Sequence, residues 1–132
     1  MSKSLIQTVN PTTQAIAANG IIAPGSVLRR YGCNCRLSGN AIELCGCGYY
    51  KVDADVTVEP TDVGNVTVAL YADGSQIPSA VGTGNTATAS APVTVPITTT
   101  VRLREDGTTS LTYVLVEGAG DVTNISSRIE KS

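Results

Sequence analysis

The chain has 132 residues, nine of them basic and eleven acidic, a formal charge of −2, and no His, Phe or Trp. That length suits one domain able to bury about 68–70% of its unfolded surface, so the four cysteines are not needed merely to staple a miniature fold. With no basic stripe, no imidazole and no apolar run near the ~20 residues of a membrane helix, nucleic-acid binding, His-based catalysis or metal ligation, and a helical membrane span are set aside.

Thr, Val and Ile make up 41 of the 132 residues. β-Branched side chains favour the pleated surface of a strand and lose rotamer freedom in a helix. With 13 Gly and 6 Pro as punctuation, the composition reads as all-β. A core lacking Phe and Trp must be filled by Val, Ile, Leu and Ala, which suits two sheets face to face better than a roomy barrel.

In chain order, residues 1–26 begin with the polar MSKSLIQTVNP, which lacks a secretory pattern, so a product made in the cytoplasm is expected. Short apolar alternations at Leu5-Ile6-Val9 and Ile16-Ile21-Ile22 are broken by turn signals at Asn10-Pro11, Asn19-Gly20 and Pro24-Gly25. The organisation expected is an N-terminal arm over 1–26, loosely attached through one or two short strands, and one β domain over 27–132. Val27 to Leu37 is expected to contribute to the core.

LRRYGCNCRL and AIELCGCGYY then flank Ser38-Gly39-Asn40, a hairpin loop. In YKVDADVTVEP, Val52, Ala54, Val56 and Val58 face inward and Lys51, Asp53, Asp55, Thr57 and Glu59 outward, the alternation of an antiparallel sheet with one wet face. GNVTVALYADG follows with Val66, Val68 and Leu70 inward and a turn at Asp73-Gly74. Ser79 to Ala91 is small and polar and reads as a loop, with at most a short edge strand. PVTVPITTTVRLRE puts Val93, Val95, Ile97, Thr99, Val101 and Leu103 on one face; Pro92 and Pro96 cannot donate to a ladder and place its first half at an edge. A turn at Glu105-Asp106-Gly107 leads to SLTYVLVEG and VTNISSRIEK. Eight to ten strands at this spacing make an antiparallel sandwich or jelly roll.

All four cysteines lie in YGCNCRLSGNAIELCGCGYY. With the loop centred on Asn40, Cys33 would oppose Cys47 and Cys35 would oppose Cys45, all on one face, with Cβ atoms about 4.5–5.5 Å apart against the ~3.8 Å a disulfide prefers. Structural thiols or disulfides are the main expectation. Zinc is the alternative, although Cys-x-Cys lacks the extra residue that wraps the metal in a zinc ribbon. Redox catalysis stands behind both, since Arg36 alone is near enough in sequence to activate a thiol. Asn65-Val66-Thr67 and Asn124-Ile125-Ser126 match a glycosylation pattern by chance, and Asp53, Asp55 and Glu59 on a straight strand read as a solvated face rather than a calcium loop. Tyr71 falls out of phase with its core-facing neighbours and suits a subunit interface, as Tyr49 and Tyr113 do.

GCGYYKVDADVTVEPTDVGNVTVALYADGSQIPSA resembles the first half of the tumour-necrosis-factor-like or complement-type globular jelly roll, in which a G-x-Y-x-V strand precedes G-x-V-x-V-x-L-x-x-D-G-x-x-I-P. VTNISSRIEKS resembles its closing strand, and PGSVLRRYGCNCRLSGN, Pro24 to Asn40, resembles small proteins of tailed phages and prophages. The resemblance implies a homotrimer without cofactors. It also implies a virion component on the capsid exterior, a head decoration protein or short head fibre. Its N-terminal arm would meet the major capsid protein through Leu5, Ile6, Val9 and Ile16. Neither nucleic acid nor membrane is implied as a partner, and an enzyme is not expected. A binding module recognising bacterial surface glycan through Ser79–Ala91 is the alternative.

Overall fold

A computed structural model describes residues 4–61, 63–88, 91–103 and 107–131. Among them are twelve strands and no helix: β1 (Ser4–Asn10), β2 (Gln14–Ile16), β3 (Gly20–Ile22), β4 (Ser26–Tyr31), β5 (Cys35–Ser38), β6 (Ala41–Cys45), β7 (Gly48–Pro60), β8 (Gly64–Ala72), β9 (Ser75–Thr86), β10 (Val93–Leu103), β11 (Thr108–Glu117) and β12 (Gly120–Lys131). Sheet A runs β10-β7-β12-β1-β4, with β2 also on β12. Sheet B runs β5-β6-β11-β8-β9, with β3 also on β11. Every strand pairing is antiparallel, and the two sheets stack as a jelly-roll sandwich.

The two-residue period decides which faces meet. Val52, Ala54, Val56 and Val58 of β7 point into the core, as do Val66, Val68 and Leu70 of β8 and Val95, Ile97, Val101 and Leu103 of β10. Asp53, Asp55 and Glu59 point out, on the wet face their alternation foretold. β10 forms an edge of sheet A, where the missing donor of Pro96 removes nothing from a ladder. Asp73 (φ +51) and Gly74 make the expected tight turn between β8 and β9.

Two tyrosines complete this Phe-free core. Tyr113 and Tyr50 are its largest fully buried side chains. Tyr113 on β11 hydrogen-bonds Ser127 on β12, so a buried hydroxyl pair ties sheet B to sheet A.

Four expectations are corrected. Residues 4–26, the described part of the expected arm over 1–26, are not loose: β1 lies between β12 and β4, bonded on both sides, with Ile6 1% exposed. Ser79–Ala91 is strand as far as Thr86, paired with β8; small residues there permit close packing rather than a loop. Val27 to Tyr31 is not core, because β1 fills the place beside β12 and pushes β4 to the exposed edge. The count exceeds eight to ten because the first 26 residues yield three strands and a kink with Gly32 at φ +81 splits β4 from β5. The turn expected at Glu105-Asp106-Gly107 lies outside the described residues except for Gly107.

β9 and β10, edge strands of opposite sheets, pack along each other. A Cβ on Gly82 would lie 2.5 Å from the Pro96 carbonyl oxygen, and one on Gly84 2.3 Å from Val93 Cγ1. Since backbone cannot swing aside as a side chain can, Gly82→Ala should destabilise the fold by about 1–3 kcal/mol through overpacking. Thr83→Ala, on the exposed side of the same strand, should stay within about 0.5 kcal/mol. Urea unfolding midpoints of the two variants check this.

Candidate interaction surfaces

The cysteine hairpin closes one half-step away from the expected register. Ser38 pairs with Ala41, Arg36 with Glu43 and Cys35 with Leu44 across a two-residue turn at Gly39-Asn40, with Gly39 at φ +59. A one-residue slip turns a side chain to the other face. Cys35 therefore joins Leu44 in the core at 1% exposed, whereas Cys45 shares the outer face with Glu43. All four thiols are free, Cys33, Cys45 and Cys47 being exposed. Among the described residues no three His, Cys, Asp or Glu side chains converge as metal ligands. Burial pushes the Cys35 thiol up to about 11, against the opposing pull of Arg30 and Lys131, so it stays protonated.

What ties this end of the sandwich is Asn34, a residue the cysteine pattern obscured. Its amide oxygen accepts from Ser4 Oγ at 2.7 Å, and its Nδ2 donates to the Cys45 carbonyl at 2.6 Å. Its backbone carbonyl accepts from Cys45 N at 2.9 Å. Tyr50 OH lies 2.8 Å from both the Cys45 and Gly46 carbonyl oxygens. Asn34 thus joins β1 of sheet A to β6 of sheet B, and its bonds to Cys45 hold the hairpin that disulfides were expected to reinforce.

Beside this knot lies a cleft of about 500 Å³ lined by Arg30, Cys33, Asn34, Arg36, Glu43, Cys45, Asp73 and the start of β11. Its carboxylates are engaged. Glu43 pairs with Arg36, and Asp73 accepts from Thr109 Oγ1 at 2.8 Å and from Ser110 N at 3.0 Å. Among the described residues no carboxylate in it is left without a partner.

The three tyrosines proposed for an interface do not converge. Tyr49 is exposed on the outer face of sheet A, with Arg102 over its ring at 5.6 Å. Tyr71 is half-buried on the outer face of sheet B. Tyr113 is core and unavailable to a partner; sharing the parity of Leu111 and Leu115 in SLTYVLV, it was placed there by the alternation itself. Of the four anchoring candidates, Leu5 and Ile6 are buried, while Val9 and Ile16 are half-buried, Ile16 against the core.

A further apolar feature went unread. Across sheet B, Ile21 pairs with Val114, Val114 with Ala69, and Ala69 with Val81. Four strands contribute to one row spanning roughly 14 Å, with Val114 and Ala69 buried at its centre and only its two ends exposed. Ile21 and Val81 are exposed at 49% and 39%, and Thr67, Thr83 and Glu117 make a polar border beside it. Only cross-strand register brings these residues together.

Solved structures carry the same architecture. Murine APRIL at pH 5.0 matches with a TM-score of 0.72 and 12% identity, over 99% of this chain and 100% of that one. The globular domain of zebrafish complement 1qA matches at 0.69 and 8%, over 93% and 94%. The PRD1 vertex protein P5 matches at 0.60 and 14%, over 98% and 96%. No protein-family model and no curated protein sequence matches the chain. At these identities the likeness defines the fold: the chain is an all-β jelly roll of the TNF-like, complement-type class.

Three outcomes follow from this geometry. Asn34→Ala takes away the acceptor of the Ser4 hydroxyl, in a residue with no exposed surface, and the side-chain donor to the Cys45 carbonyl. It leaves Ser4 Oγ only the Asn34 backbone N–H at 3.2 Å, and should cost about 1–3 kcal/mol. Cys33→Ser and Cys47→Ser should be nearly neutral with or without reductant, and a thiol reagent should count three reactive cysteines in the native chain and four after unfolding. The third outcome concerns alkaline pH. Burial raises Tyr113 and Tyr50 from 10.0 to about 12, as it raises Cys35 from 9.0 to about 11. The unfolded chain loses these protons first, so stability is intact below about pH 9 and falls as pH climbs from about 9 towards 12. Tyr113→Phe should lose about 1 kcal/mol at neutral pH, by orphaning Ser127, and show a shallower decline above pH 10 in urea midpoints measured against pH.

Proposed function

We propose that the chain is a non-enzymatic virion structural protein, a homotrimeric capsid decoration protein or short head fibre that sits on the capsid exterior and binds the major capsid protein. The observation that carries this reading is the likeness of the whole sandwich to a vertex protein, over 98% of this chain. The Pro24–Asn40 segment, with its resemblance to small phage and prophage proteins, adds to it.

The surface chemistry fits an adhesive rather than a catalytic task. A threefold ring needs two different patches, one meeting the other on the next copy, because heterologous contacts close a cycle. The Tyr49–Arg102 face of sheet A and the Ile21–Val81 row of sheet B are two such patches on opposite layers. Three copies joined in this way bind a lattice with avidity although each single contact is weak. With Leu5 and Ile6 buried, the first 26 residues offer a capsid partner the exposed Pro11–Thr13 turn instead of an apolar arm.

Sedimentation equilibrium of the purified chain should give the mass of three copies, and mixing with capsids that lack the protein should give saturable binding. A monomer that leaves such capsids bare would contradict the reading.

A further inference from the structure

The four sheet edges are unlike one another. β9 and β10 cover each other, with Gly82 seated on the β10 backbone. β5 is only four residues long, and Arg30 Nε donates to its Cys35 carbonyl at 2.8 Å. β4 differs from all three. It bonds β1 on one side, and among the described residues no hydrogen bond reaches its backbone from the other. All six of its residues are exposed. Between Val27 and Arg29 the ladder skips Leu28, a bulge that leaves this side chain 61% exposed. An open edge of this kind is a template for one more strand.

Charge decides which strand. Arg29 and Arg30 stand adjacent on β4, and neither takes part in the ion pairs of the described residues. β1 alongside carries no charge (SLIQTVN), and the nearest carboxylate in register, Glu130 of β12, is bonded to Arg128. Two copies meeting edge to edge about a twofold axis would set these arginines against each other, and like charges facing across a strand pair destabilise it. Carboxylates on the incoming strand would instead be attracted, with charge-assisted hydrogen bonds available to the Arg29 guanidinium and to the terminal NH2 groups of Arg30, whose Nε is engaged by Cys35. Arg30 also lines the cleft of about 500 Å³ at this end, and Leu28 and Tyr31 supply exposed apolar contact.

We propose that β4 is a docking edge for an extended, carboxylate-bearing peptide segment of a partner protein, which joins sheet A as an additional strand. The site stands independently of the capsid reading, because it rests on the edge alone.

The probes are three fluorescent seven-residue peptides: valine alternating with glutamate, valine alternating with lysine, and the glutamate peptide N-methylated at alternate residues. The glutamate peptide should bind at least about tenfold more tightly than either of the others, and less tightly at high salt. It should also slow amide hydrogen exchange within residues 26–31. Arg29→Glu, at an exposed position, should abolish the preference for glutamate without shifting the melting midpoint. Equal affinity for the three peptides, or slowed exchange confined to other strands, would overturn the proposal. So would a free chain whose residues 26–31 are already protected and lose that protection on dilution, since the occupant would then be a second copy.

Discussion

The pairing of the first strand with the last is the constraint on which this molecule depends. β1 meets β12 over seven residues, from Ser4 opposite Lys131 to Asn10 opposite Ile125. That contact sets Ile6 against the core and leaves β4 only the outer side of β1. It also brings Ser4 within reach of Asn34, where the two sheets are tied together. The exposed edge, the cross-sheet clamp and the filled inner face of sheet A are three consequences of one ladder.

The remaining geometry follows from what the core lacks. Without Phe or Trp, aliphatic side chains must span the gap, so the layers have to lie close. Gly82 and Gly84 allow that along β9 and β10, while Tyr113 reaches across the interior to Ser127. The sandwich is thereby shut along one flank by backbone contact. On the other flank the strap through β2 and β3, held by Gln14 on both the N–H and the C=O of Ala23, leaves β4 uncovered. An asymmetric wall of this kind has two roles built into it: a sealed side that resists change and an open side that can receive a partner.

Much of this was legible in the residues because strand periodicity is a local signal. β7, β8 and β10 announce their buried faces in two-residue steps, Pro96 announces an edge, and Asp73-Gly74 a turn. The N-terminal stretch was not legible, since its partner lies more than a hundred residues away and no local pattern encodes that pairing. The cysteines misled for a related reason. Their spacing fixes parity along each strand, but the face across the hairpin depends on whether the turn holds two residues or three. Asn34 escaped notice because a clamp made of one amide has no sequence spacing to betray it. Ser79 to Thr86 read as a loop because its residues are small and polar; here the small residues Gly82 and Gly84 are required by the close approach of β10. The apolar row through Ile21, Val114, Ala69 and Val81 exists only once four separate strands are in register.

If β1 is a structural strand and β4 a surface one, the two differ in how they open, because amides of core strands exchange only when the whole domain unfolds. Native-state hydrogen exchange on the free chain, resolved residue by residue, measures this directly. The account predicts that Ile6 and Thr8 exchange as slowly as Val52 in β7 and Ile129 in β12, while amides at the outer edge of β4 exchange orders of magnitude sooner. Exchange at Ile6 and Thr8 as fast as in an unstructured tail would contradict it.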